Sequence, residues 1–211
     1  MSTAIQAFLL FIIPWLSPTV SFAIDAQVIV NQMERRFNEI NDIKGRFSQR
    51  SFLKDLDRRE DYSGIFFIKK PSSIRWEYSR PRDEEVIING DKIWVYKRSE
   101  GQVLKGRFER GGYNHLPITL LQDIGNLKRD FYIKALDEKT LELTPRGQMG
   151  VIKGIELVTD EIFPIKEFTI TDTYENRITI ELKGVEVNTN LRESLFIFKM
   201  PPDVEVFELN Q

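Results

Sequence analysis

Three adjacent carboxylate pairs, Glu84-Glu85, Asp137-Glu138 and Asp160-Glu161, and one histidine, His115, are the residues whose types could do acid–base chemistry. Paired carboxylates divide into an acid and a base only where burial or close opposition drives their pKa values apart. All three pairs fall in segments that read as turns, where neighbouring carboxylates rarely get that environment. His115 has no partner at motif spacing. With no cysteine, the chain has no thiolate nucleophile, disulfide framework, zinc finger or iron–sulfur cluster. A single histidine excludes a multi-histidine metal site. The expectation is a protein that is not an enzyme and uses no metal or cofactor.

The elements around these residues point to a binding scaffold instead. The chain has 211 residues, of which 41% are hydrophobic, with a formal net charge of −2. That is enough for one domain with a real core, and too near neutral to support a nucleic-acid partner. Asp25 is a good helix N-cap. After it, Ala26, Ile29/Val30, Met33, Phe37 and Ile40 recur at helical spacing, which predicts an amphipathic helix of about four turns. From Ile43 the pattern alternates, and Asp55 to Asp61 reads as a loop. Gly64 to Lys70 is a strand rich in aromatic and β-branched residues. Ile74-Arg-Trp-Glu-Tyr78 alternates cleanly, with Ile74, Trp76 and Tyr78 on one face. Val86 to Ile88 and Ile93 to Tyr96 flank Asn89-Gly90, a hairpin signal.

Residues 101–115 are the least structured by composition, and Pro117 to Gly125 reads as a short helix. Strands are expected over Phe131–Ala135, Thr140–Thr144, Ile152–Thr159, Pro164–Asp172, Arg177–Lys183 and Leu195–Phe198. About nine or ten strands of this spacing make a meandering antiparallel sheet that curls into a sandwich, a closed barrel or a half-open barrel. Two helices with apolar faces bury them against its concave side. The space between is either an apolar pocket suited to an acyl chain or a fully packed core.

Residues Met1 to Ala23 carry no charged side chain. Their ten-residue apolar run, Ala7 to Leu16, is the length of a signal-peptide core, whereas a membrane span needs about 20 residues. Ser21-Phe22-Ala23 places small residues at the −3 and −1 positions of a cleavage site. Residues 1–23 are expected to be a cleaved signal peptide and 24–211 a single domain. An uncleaved anchor is the competing reading. No cysteine is available for lipid attachment, so the expectation is a carrier that is not itself a lipoprotein.

The segment Gly64-Ile-Phe-Phe-Ile-Lys-Lys-Pro-Ser-Ser-Ile-Arg-Trp-Glu-Tyr78 resembles the signature strand pair of the LolA family of periplasmic lipoprotein carriers. Other segments match it in order: Phe47-Ser-Gln49, Asn89-Gly90 before Ile93-Trp94-Val95-Tyr96, Leu120-Leu121, Leu141-Glu-Leu-Thr-Pro145, and Phe196 to Val204. In the last, Asp203 stands where the family pattern has glycine. The resemblance implies a half-open, twisted antiparallel β-barrel, closed over an apolar cavity by an N-terminal helix and short lid helices. It implies a periplasmic chaperone of a Gram-negative-type bacterium, carrying the acyl chains of lipoproteins. Its partners would be acylated lipoproteins, an inner-membrane ABC-type release complex and an outer-membrane acceptor lipoprotein, with the carrier itself a monomer.

The resemblance also implies site residues. The family's latch arginine, which bonds lid carbonyls, is replaced by Lys70, which keeps the charge but loses the planar fork. If Lys70 points inward, the pleat puts Phe66 and Ile68 on the same face. Ile74, Trp76, Trp94 and Tyr96 are further expected cavity residues, and Met33, Phe37, Leu120, Leu121 and Ile124 the expected lid face. Residues 44–82 carry eleven Lys or Arg against five Asp or Glu, and residues 83–211 carry 17 against 23. The basic early strands suit lipid headgroups or an acidic partner, or are simply solvated faces. A sensor or a carrier of another envelope lipid on the same fold is the alternative function.

Overall fold

Asp25 opens the first helix, accepting a hydrogen bond from the Gln27 backbone N–H at 2.8 Å. Helix α1 then runs Ala26–Glu39 and buries Ile29, Val30 and Met33 along one stripe. In the computed structural model, residues 25–79, 81–108, 121 and 124–209 are described. The expected leader, His115 and Leu120 lie outside them, as does most of the expected 117–125 helix. Among the described residues, no helix is long and apolar enough to cross a membrane.

The strands are β1 Asp42–Leu53, β2 Arg58–Lys69, β3 Ser73–Tyr78, β4 Glu84–Asn89, β5 Lys92–Lys97 and β6 Gln102–Arg107. After a one-turn helix α2, Leu127–Asp130, come β7 Phe131–Ala135, β8 Thr140–Pro145, β9 Ile152–Val158, β10 Glu167–Asp172, β11 Arg177–Val187 and β12 Glu205–Glu208. They form one twelve-stranded sheet in the order β12-β6-β5-β4-β3-β2-β1-β11-β10-β9-β8-β7. Its edge strands, β12 and β7, are not paired to each other, so the sheet is curled but open. Neighbours are antiparallel except that β12 joins β6 in parallel.

Several expectations change. The loop expected at Asp55 to Asp61 is a 3-10 turn, Lys54–Leu56, followed directly by β2 from Arg58. Cross-strand pairing down to Leu53↔Arg58 stabilises this polar end of the hairpin as strand. Residues 102–107, expected to be irregular, form β6 because β5 and β12 both pair with them. The strand expected at Leu195–Phe198 is a 3-10 turn, Glu193–Phe196, that crosses the sheet instead of joining it. Glu84 and Glu85 are not in a turn but open β4, both buried. They are paired to cations: Glu84 with Arg82 at 2.9 Å, Glu85 with Arg75 at 2.7 Å and with Arg98 at 2.6 Å. Burial pushes the Glu85 carboxyl up, against the pull of the two guanidiniums.

One glycine is demanded by close packing. A Cβ on Gly64 would sit 1.9 Å from the Glu77 carbonyl oxygen and 2.6 Å from the Phe47 ring. That vacancy lets Phe47 lie across β2 and reach Trp76.

Candidate functional site

Register decides which side chains share a face. Reading across β1 to β5, Gly45, Phe66, Trp76, Val86 and Val95 form one row, and Ile43, Ile68, Ile74, Ile88 and Ile93 the next. Phe47, Gly64 and Tyr78 form a third row on the same side. The face continues through Leu182, Ile180, Phe168, Leu157 and Leu141 on the other half of the sheet. The apolar side chains among these, with Met33 of α1, Leu121, Ile124 and Leu127, belong to a single buried cluster, against which the partly buried Val95 packs. Phe66, Ile74 and Trp76 are fully buried, and Ile68 nearly so.

At the centre, the Trp76 ring stacks on Phe47 with centroids 4.1 Å apart and on Phe66 at 5.4 Å. Tyr78 meets Phe47 edge-on at 5.1 Å and donates from its hydroxyl to the buried Gln49 Oε1 at 2.8 Å. Gln49 Nε2 in turn donates to Ser51 Oγ at 3.0 Å. The Trp76 indole N–H is buried and makes no hydrogen bond. The Tyr78 hydroxyl is close enough to feel it, but not in hydrogen-bond geometry.

Lys70 lies just beyond the end of β2, at the rim of this face. Its Nζ donates to the Phe37 carbonyl oxygen, in the last turn of α1, and stands 3.8 Å from the centroid of the Phe37 ring. Burial lowers its pKa from the usual lysine value. Below it, Phe37, Ile40, Ile43, Ile68, Leu121 and Phe163, with Asn41 and Asp42, line a small, partly open pocket of about 10 Å³, room for about one water. The helix end is thus drawn down onto the sheet here. Further along α1, Glu34 pairs with Lys128 of α2 at 2.7 Å.

The expected residues therefore separate. Phe66, Ile68, Ile74 and Trp76 come together on the inner face, under Met33, Leu121 and Ile124, with the half-buried Phe37 at the rim. Trp94 and Tyr96 do not join them. Register pairs Trp94 with Ile87 and Tyr96 with Glu85 on the opposite face, and both rings pack on Phe198, at 5.9 Å and 6.1 Å. The cause is the two-residue period of β5: Ile93 and Val95 take the inner positions, so the larger aromatics must point out.

That outer face is covered by the segment from 188 to 201. Asp42, buried, accepts from the Thr189 N–H at 2.7 Å, the Thr189 hydroxyl at 3.1 Å and the Leu191 N–H at 3.2 Å. Lys69 Nζ donates to the Leu191 carbonyl at 2.8 Å, and Arg75 to the Leu195 carbonyl at 3.1 Å. Sequence reasoning missed this strap, as well as Val86, Phe163 and Phe168 of the inner cluster. The alternation of β10 carried a signal for Phe168, but β4 is apolar without alternation, and nothing local announces Phe163 in its turn. Among the described residues, no group of acidic or histidine side chains could hold a metal ion.

The arrangement is an apolar concave surface, capped by helices and cinched at one rim by a single ammonium. It can shelter apolar chains if the cap moves.

The comparisons agree with this geometry. Residues 38–199 match the family model described as outer membrane lipoprotein carrier protein LolA. The chain is 29% identical over 177 residues to an outer-membrane lipoprotein carrier protein of Halorhodospira halophila, covering 83% of this chain and 84% of the relative. It is 25% identical over 181 residues to one from Alkalilimnicola ehrlichii, covering 83% and 82%. A LolA superfamily protein from Nitrosomonas europaea shares the fold at a TM-score of 0.50 and 13% identity, over 83% of this chain and 99% of that one. An uncharacterized conserved protein from Thermus thermophilus does so at 0.54 and 15% identity, over 87% and 99%.

Proposed function

Because this chain belongs to the LolA family, we propose that it is a periplasmic carrier that shelters the acyl chains of lipoproteins on the inner face of its sheet. The observation that carries the reading is the face itself: Phe47, Phe66 and Trp76 lie in one apolar cluster with Met33 of α1, Leu121 and Ile124. Exposing acyl chains to water costs about 0.8 kcal/mol per CH₂. A soluble carrier must cover them, yet close weakly enough to let them go.

In this reading residues 1–23 are a cleaved signal peptide and 24–211 a single carrier domain, monomeric and without enzymatic activity. Lys70 is the latch. It joins the rim of the sheet to the Phe37 carbonyl and ring, and opening it lets α1 lift from Leu121 and Ile124. Cargo enters from an inner-membrane ABC-type release complex and leaves to an outer-membrane acceptor lipoprotein. The acyl chains take the places that the side chains of α1 and the lid occupy in the closed form.

The test is lipoprotein release from spheroplasts. Added protein should release acylated lipoprotein into the soluble fraction as a one-to-one complex, seen by native mass spectrometry. Recovery of another envelope lipid alone, with no lipoprotein released, would overturn the carrier reading in favour of a different lipid cargo.

A further inference from the structure

The inner face holds one polar group that its packing does not explain. Among the described residues, the Trp76 Nε1–H is the buried side-chain donor without a partner. Its nearest polar neighbour, the Tyr78 hydroxyl, turns its proton to Gln49 at 2.8 Å and stands beside the indole without making a hydrogen bond to it. A phenylalanine would stack between Phe47 and Phe66 without leaving a donor stranded. Buried indoles ordinarily find an acceptor, and an unpaired one lowers stability.

We propose that Trp76 Nε1–H is the polar anchor of the inner face, donating to the carbonyl oxygen of a bound fatty-acyl ester or amide. This rests on the acyl-carrier reading and assigns its polar contact. The indole can only donate, so it selects an acceptor. The carbonyl that joins a fatty chain to its headgroup is the acceptor that every acyl chain brings with it. In a face otherwise lined by Ile43, Ile68, Ile74, Val86 and Phe66, that bond fixes where along its length the chain sits. A hydrocarbon without the carbonyl gains nothing from it.

The experiment compares two probes of equal chain length and headgroup, used below their micellar concentrations. They are dioctanoyl phosphatidylcholine and its dioctyl ether analogue, which lacks the carbonyls. The protein is expected to bind the ester about fivefold more tightly, the worth of one neutral hydrogen bond. A purely apolar site would favour the more hydrophobic ether. In ¹⁵N–¹H spectra, the Trp76 indole proton should move downfield with the ester and not with the ether. The Trp94 indole, on the outer face, serves as the internal control. Trp76→Phe should lose the ester preference and bind the ether at least as tightly as the ester. Equal affinity of the unaltered protein for ester and ether, or an ester preference that survives in W76F, would overturn the assignment. Failure to bind either probe would instead strike the carrier reading beneath it. The ester–ether comparison and the spectrum need no variant, so a W76F protein that folds poorly leaves both decisive.

Discussion

The Lys70 ammonium donates to the Phe37 carbonyl and sits 3.8 Å above the ring of the same residue. One side chain at the rim of the sheet thereby grips both the backbone and the side chain of the last turn of α1. A cation over an aromatic ring contributes about 0.5–1 kcal/mol when partly exposed. The partial burial that lowers the Lys70 pKa opposes it. The contact is therefore a weak clasp.

Lys70→Met is expected to leave the fold intact, with a stability change within about 1 kcal/mol. Amide exchange at the end of α1, Arg36 to Ile40, should quicken. Lipoprotein transfer should change in rate. Unaltered exchange and unaltered transfer would remove Lys70 from the closing mechanism.

The same residue has a pH signature. Its folded-state pKa is lowered from 10.5, so between the two values the unfolded chain binds more protons. Stability then rises with pH across that window. The margin of the unaltered protein over Lys70→Met, measured as urea midpoints, should be larger at pH 10 than at pH 7. A margin that shrinks would reverse the sign.

Gly64→Ala should be among the most damaging single-methyl changes. The new Cβ meets the Glu77 carbonyl oxygen at 1.9 Å and the Phe47 ring at 2.6 Å, and backbone cannot rotate away. Overpacking of this kind costs about 3 kcal/mol, a fall in Tm of about 6–12 °C for a chain of this size. A loss of only a degree or two would mean that the strand pair shifts freely.

Asp203→Gly should stabilise. Asp203 has a φ of +57°, left-handed backbone that costs an L-residue about 1 kcal/mol and glycine almost nothing. The urea midpoint should rise with the m-value unchanged. The departure of this chain from the family's glycine is thus a small, reversible strain.

Asp42→Ala removes the acceptor for three hydrogen bonds that hold residues 189–191. The expected loss is about 3 kcal/mol, with the Trp94–Phe198 contact loosened. Trp94 fluorescence should shift to the red well before global unfolding in urea. Coincident transitions would show that the strap and sheet unfold as one.

The helical spacing from Ala26 to Ile40, and the alternation of Ile74, Trp76 and Tyr78, follow from local geometry. Each element must turn one side to the core whatever that core is, so these faces were legible in the chain alone. The ordered motifs around Gly64 to Tyr78 carried the family.

Other features had no local signal. Trp94 and Tyr96 look as apolar as Trp76, and only the pairing of Ile87 with Trp94 shows that they point outward. Glu84 and Glu85 look like turn residues until Arg75, Arg82 and Arg98 arrive from neighbouring segments to pair them. Leu195 to Phe198 has strand composition, but its backbone groups meet Arg75 and the outer face rather than a ladder. The grip of Lys70 on Phe37 joins residues 33 positions apart. Periodicity states which side of an element is apolar, because that depends on bond geometry within it. Which face of the sheet that side joins, and which charges meet there, depends on distant segments packing together, and only the tertiary structure decides it.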